Sequence, residues 1–254
     1  MKKVALIFAA LLLLFPLALS AQTIVDDSFE SLGDWVPGYG DWGIRGGMLV
    51  QRDTDTGLAR IDRPVPQANE IEISFMVRYQ AGGFEDQAAL RRGYLHAGFG
   101  IQVGVENPPL RRVAWGAGSS YLLWLNLDTR PETYTDAPEH FGFRGQVYES
   151  ESNSVMDLAT DTKYGVQLNA DIVAALANVG ITLGISDIGQ YLDMQVPIHI
   201  RINYTTGVVM VMDPTNPSLW LSFDVDPAVL AGNYVSLRTN SLAVSFSDFT
   251  VTRR

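Results

Sequence analysis

The segment "NEIEISFMVRY" (Asn69–Tyr79) sets two carboxylates, Glu70 and Glu72, two residues apart inside an apolar run. A carboxylate pair is what a glycosidase uses, one as general acid and the other as nucleophile or base. On a strand, side chains at i and i+2 lie roughly 6.5–7 Å apart on one face, so spacing alone admits that chemistry. The same spacing describes a solvated strand face. Glu70 and Glu72 then share it with Ser74, Met76 and Arg78, while Ile71, Ile73, Phe75, Val77 and Tyr79 face the other way. The strict alternation favours this second reading.

Other chemistries have less to work with. The three histidines, His96, His140 and His199, form no H-x-H or H-E-x-x-H pattern and have no cysteine beside them, which argues against a transition-metal centre. Neither a G-x-S-x-G nucleophile turn nor a glycine-rich phosphate loop is present. The glycines of "GFGIQVG" fall inside a strand-like run and read as a bend or a close sheet contact. Asp26, with Asp27 beside it, and Asp248 lie near the two ends of the sandwich sequence; if the termini pair, they are candidate ligands for a structural calcium. Edge polarity explains these aspartates equally well.

Aromatic residues are the best sign of binding. Trp35, Tyr39 and Trp42 cluster in "DWVPGYGDWG", and Trp115, Tyr121 and Trp124 in "RVAWGAGSSYLLWL". Exposed aromatic faces stack on sugar rings while neighbouring polar groups bind hydroxyls. Trp42 and Trp124 stand in strand-like runs and are assigned to the core. Trp35, Tyr39 and Trp115 sit among Gly and Pro and are the surface candidates. Two arginine pairs, Arg91–Arg92 and Arg111–Arg112, flank "YLHAGFGIQVGV" and suit an acidic ligand, or simply two solvated loop ends.

The elements that must position these residues are short and alternate with period two. "GMLVQRD", "GLARIDRP", "EIEISFMVRY", "YLHAGFGIQVGV", "SYLLWLNL", "FRGQVYES", "PIHIRINY", "GVVMVMD", "LWLSFDV", "NYVSLRT" and "LAVSFSDFTVTR" all read as strands separated by Gly, Pro, Asn or Asp. This pattern predicts an all-β fold, an antiparallel β-sandwich or jelly roll. Thr205–Gly207 and Asp213–Pro217 supply the turns of a β-meander. Only Asn169–Leu192 breaks the pattern: Ile172, Val173, Leu176 and Val179 have helical spacing, predicting a short helix from about 170 to 178 within an insertion spanning 169–192.

The N-terminus reads as a secretory signal peptide over residues 1–21: Lys2 and Lys3, an apolar run to Leu19, then small residues before the cleavage point. The run is shorter than the roughly 20 residues of a spanning helix and contains Pro16, so cleavage rather than retention as an anchor is expected. Residues 22–254 then form one domain, for which a secreted, periplasmic or cell-surface location and no transmembrane anchor are expected. The chain has no cysteine, which excludes disulfide stapling and fits bacterial export. Its formal charge of −10 becomes −12 without Lys2 and Lys3, which argues against nucleic acid or an anionic membrane as partner.

In the order of its elements the chain resembles the concanavalin A-like lectin/glucanase superfamily, including laminin-G-like and 3-keto-disaccharide hydrolase-like domains. The stretches that carry the resemblance are "DDSFESLGDWVPGYGDWGIRGGMLVQRD", "VPIHIRINYTTGVVMVMDPTNPSLWLSF" and "YVSLRTNSLAVSFSDFTVTRR". Ile198 stands near a position where the family often has Trp, and Asp213-Pro214 where its hairpin has Asp-Gly. The superfamily's glucanases carry E-x-D-x-E or E-x-D-x-x-E on one strand; aligned on Glu70, this chain has Glu72 in the middle and Ser74 or Phe75 in place of the acid/base. The resemblance therefore implies a carbohydrate- or glycan-binding module acting through its concave sheet and loops, with no catalytic residue assigned. An envelope protein assembling with other protein subunits, and a sugar hydrolase with an unrecognised site, are the alternatives. Glu70→Gln and Glu72→Gln are expected to leave function unchanged in a binding or activity assay, and a large loss in either would contradict the solvated-face reading.

Overall fold

A computed structural model describes residues 21–82, 98–106, 118–128, 142–150, 156–162, 195–213 and 216–254. Residues 1–20 of the expected signal peptide and the expected helical insertion at 169–192 lie outside these residues. The strands, in chain order, begin with β1 (Gln22–Asp27), β2 (Val36–Tyr39), β3 (Trp42–Ile44), β4 (Leu49–Gln51) and β5 (Ala59–Pro64). They continue with β6 (Glu70–Gly82), β7 (Gly98–Val105), β8 (Ser120–Asp128), β9 (Gly142–Ser150) and β10 (Met156–Thr162). The last five are β11 (Val196–Asn203), β12 (Val208–Asp213), β13 (Asn216–Asp224), β14 (Tyr234–Asn240) and β15 (Leu242–Arg253). A 3₁₀ turn at Pro227–Leu230 is capped by Asp226, whose carboxylate accepts from the Ala228 amide at 2.9 Å.

These strands form two antiparallel sheets. The first has eight strands in the order β13-β12-β11-β6-β15-β4-β3, with β1 also on β15; the second has seven, β10-β9-β8-β7-β14-β5-β2. Every run read as a strand from its alternation is one. β1, β2, β3 and β10 are additional. Gly207 at φ 77° closes the β11–β12 turn where expected, whereas Asp213 and Asn216–Pro217 of the second expected turn belong to β12 and β13, and 214–215 lie outside the described residues.

Alternation decides the core. In β6 the buried residues are Ile71, Ile73, Phe75 and Val77, while Glu70, Glu72, Ser74, Met76 and Arg78 are half-exposed. They meet Phe99, Ile101 and Val103 of β7, Leu123 and Leu125 of β8, and Val235 and Leu237 of β14 across the sandwich. The chain crosses between sheets at Ser241 (φ 54°), so Leu237 of β14 and Leu242, Val244 and Phe246 of β15 enter the same core.

β15 joins the most neighbours. It pairs with β6 along its length, with β4 through Val244–Phe246 and with β1 through Phe249–Arg253. A bulge separates these last two segments, and Asp248 sits in it at φ 53°. Phe249, next in sequence, is fully buried, edge-on to Trp35 at 5.0 Å and stacked with Phe75 at 6.0 Å. Phe249→Ala is expected to cost about 3–5 kcal/mol, the usual penalty for emptying a buried aromatic site, as measured by urea denaturation; a cost below about 1 kcal/mol would contradict this packing.

Candidate functional site

The outer face of a sandwich sheet normally meets solvent, and the first sheet follows this rule. Glu72 accepts from Arg201 Nε at 3.1 Å and Arg254 Nε at 2.8 Å, and His199 stands half-exposed opposite Ser74. The Glu70/Glu72 face is thus the solvated, arginine-paired face expected from its alternation. Partly exposed pairs of this kind contribute little to stability.

The second sheet differs. Register places its outward residues in two rows across the strands. One row runs Tyr39, Arg60, Arg238, Gly100, Trp124, Gln146; the other runs Val36, Asp62, Ser236, Gln102, Leu122, Tyr148, Leu158. The centre of this polar face is buried. Arg60, Asp62, Gln102, Gln146, Ser236 and Arg238 each have less than 5% of their surface exposed. Val36, Tyr39 and Leu158, at the row ends, are exposed.

Hydrogen bonds tie the centre together. Asp62 accepts from Arg60 Nε at 3.0 Å through one oxygen and from Ser236 Oγ at 2.6 Å through the other. Gln102 accepts from Arg238 Nη1 through its carbonyl and donates to Ser120 Oγ at 2.7 Å. Arg60 and Arg238 oppose each other on neighbouring strands, a like-charge pairing that costs stability on its own. Burial and the Arg60 charge pull Arg238 down to about 9, while Asp62 pulls it back. Desolvation raises Asp62 above the ordinary carboxylate range, against the opposing pull of both guanidiniums and the Ser236 hydroxyl. In linkage terms a raised carboxyl favours the folded state at acid pH, and that contribution disappears as pH rises through its folded value.

Glycines shape the floor. A Cβ on Gly98 or Gly100 would fall 2.3 or 2.2 Å from the carbonyl of Leu125 or Leu123, and against the Trp124 ring. These close sheet contacts let the indole lie across β7. Trp124 is buried as expected, but over the outer face of the second sheet rather than between the sheets. At the other end, Gly38 makes room for the Arg60 guanidinium, which an added Cβ would approach to 2.5 Å.

The sequence candidates fall into three groups. Tyr39 lies opposite Arg60 on this face and is 37% exposed. Trp35 is not a surface residue: it is 2% exposed, its Nε1 donates to Asp27 Oδ2 at 2.9 Å, and Arg63 lies 5.6 Å from its ring centre. Its Gly- and Pro-rich neighbourhood suggests a loop, but Asp27 and Phe249 draw the indole inward. Arg91, Arg92 and Trp115 lie outside the described residues. Of the calcium candidates, β1 does pair with β15, but Asp26 faces Thr250, and the Asp248 carboxylate accepts from Ser247 Oγ at 2.8 Å within the bulge. Among the described residues no group of three or more His, Asp or Glu side chains is placed to hold a metal.

No family model matches the chain. No curated protein is detectably similar to it in sequence. Solved structures do share its fold. A Bacillus subtilis protein of unknown function with a galectin-like fold is 11% identical with a TM-score of 0.52, covering 92% of this chain and 97% of that one. The Emp46p carbohydrate recognition domain is 9% identical with a TM-score of 0.51, covering 90% and 92%. The exoplasmic/lumenal domain of VIP36 in a Ca2+/Man-bound form is 10% identical with a TM-score of 0.52, covering 86% and 82%. At these identities the likeness is one of fold: the chain has a lectin-like antiparallel β-sandwich.

Removing the carboxylate charge beside the two arginines should be severe. Asp62→Asn removes the buried carboxylate charge that pairs with Arg60 Nε and attracts Arg238, and is expected to cost about 3–5 kcal/mol in chemical denaturation. Adding Arg60→Met should recover part of that loss. A neutral effect of Asp62→Asn would show that this network does not hold the face together.

Proposed function

We propose that the chain is an exported glycan-binding module that presents its ligand to the outer face of the second sheet and to the connections beside it. The observation that carries this reading is the Arg60–Asp62–Arg238–Gln102 network. Two opposed arginines are an unfavourable choice for a sheet face, and ordinary hydrophobic packing has no need of them. Buried and bonded within the network, they do not touch a ligand themselves but fix the sheet that carries the exposed Tyr39 opposite Arg60.

Topology supports the same face. The intervals 106–119 and 129–141 join neighbouring strands of the second sheet, and 83–97 and 163–195 join that sheet to the first, whereas the β11–β12 turn of the first sheet spans only 204–207. Long connections held by a rigid sheet are where binding residues concentrate. Trp115, Arg91 and Arg92 belong to these intervals, and in an acidic chain the arginines favour a sugar bearing carboxylate or sulfate. Structures of this fold that are named for carbohydrate recognition or solved with Man bound agree with a sugar partner.

A glycan array including uronate and sulfated sugars tests the reading. The chain is expected to bind at least one glycan class. Trp115→Ala, Tyr39→Ala and the double change of Arg91 and Arg92 to Ala should each weaken binding about tenfold or more, as loss of an anchor residue does. Binding to no glycan would contradict the proposal. Trp35→Ala should instead lower the melting temperature.

A further inference from the structure

An exposed strand edge invites pairing with another chain, and natural sheets blunt their edges with charge, proline or shortness. Among the described residues four of the five strand edges do so, β1 through Asp26 and Asp27. β3 has three residues, β2 carries Pro37, and β10 carries Asp157 and Asp161. β13 does not. Between Pro217 and Asp224 it runs Ser218-Leu219-Trp220-Leu221-Ser222-Phe223, six residues without charge and rich in strand formers.

The strand lies at the end of the first sheet, and among the described residues only β12 pairs with it. Its accessibility matches an open edge. Leu219 is 45% exposed, Ser218 and Ser222 are exposed, and Leu221 and Phe223 are half-buried although they face the core. Trp220 does not block the edge. It faces outward, and the Arg201 guanidinium from β11 lies 4.4 Å from its ring centre, holding the indole over its own sheet.

We propose that β13 is a self-association edge, through which two copies of this chain pair antiparallel about a two-fold axis at Leu221. The sequence is self-complementary in that register. Leu221 meets its own copy, Leu219 faces Phe223, Trp220 faces Ser222 and Ser218 faces Asp224. Apolar residues therefore stay with apolar residues on the core side, hydroxyls meet the outward residues, and no two like charges oppose. Pro217, which lacks an amide hydrogen, falls opposite Val225, beyond the paired segment. The first sheet becomes continuous across the dimer, and the second sheet, with its polar face, is left free. This inference is independent of the glycan reading.

The strongly acidic chain opposes its own association, so raising salt should strengthen the dimer; at 0.1 M the screening length is about 10 Å. Sedimentation equilibrium of the purified protein tests the proposal at low and at moderate salt. A monomer–dimer equilibrium that tightens with salt is expected. Leu219→Lys, a change at an exposed position, should shift it to monomer with an unchanged circular dichroism spectrum and melting temperature. The chain has no native cysteine, so Leu221→Cys supplies a unique thiol. Directly opposed Cβ atoms lie about 4.5–5.5 Å apart, so mild oxidation should link the two copies, whereas Asp55→Cys should not. A chain that stays monomeric at high micromolar concentration overturns the proposal. So does a dimer that survives Leu219→Lys, or one in which Leu221→Cys fails to cross-link.

Discussion

The fold depends on one strand. β15 is flanked by β6 along its whole length and by β4 and then β1 on its other side, so it joins the beginning, the middle and the end of the chain. The exchange from β4 to β1 needs an extra residue, and Asp248 at φ 53° provides it. That bulge separates Phe246 from Phe249 so that both rings stay in the core, the first against Trp42 and the second against Trp35. Local backbone geometry here therefore decides tertiary packing, and the N-terminal strand is held by the last strand rather than by its own neighbours in sequence.

With the first sheet so fixed, the two outer faces divide the work. The first sheet's face is wet, and its charges are spread in partly exposed pairs around Glu72. The second sheet's face concentrates buried charge, with Asp62 bonded to Arg60 and Ser236, and Gln102 linking Arg238 to Ser120. Buried ion pairs rarely raise stability above that of an apolar packing of the same volume. Their presence on one face of one sheet is the physical reason for assigning function there, and a sandwich fold alone would not locate it.

Much of this was legible in the sequence. Period-two alternation located eleven strands and the sides they turn inward, and in "EIEISF" it put Glu70 and Glu72 on the half-exposed outer face. The misses have physical causes. β2 and β3 are too short to show a period, and β10 carries two aspartates that disguise it. Trp35 looked exposed because its neighbours are loop formers, while what buries it, Asp27 and Phe249, acts through the fold. The polar network was visible only in fragments. Alternation puts Arg60 with Asp62 in "LARIDRP" and Ser236 with Arg238 in "NYVSLRT", but only strand order makes β5, β14 and β7 neighbours. Trp220 could have been found from "SLWLSF", where it alternates with Leu219, Leu221 and Phe223 and sides with the serines.

The central claim is that ligand recognition belongs to the outer face of the second sheet. Hydrogen–deuterium exchange of the chain with and without a bound glycan tests it most directly. The account predicts new protection in β7, β8 and β14 and in the intervals 83–97 and 106–119, with β11–β13 unchanged. Protection confined to the first sheet would contradict it.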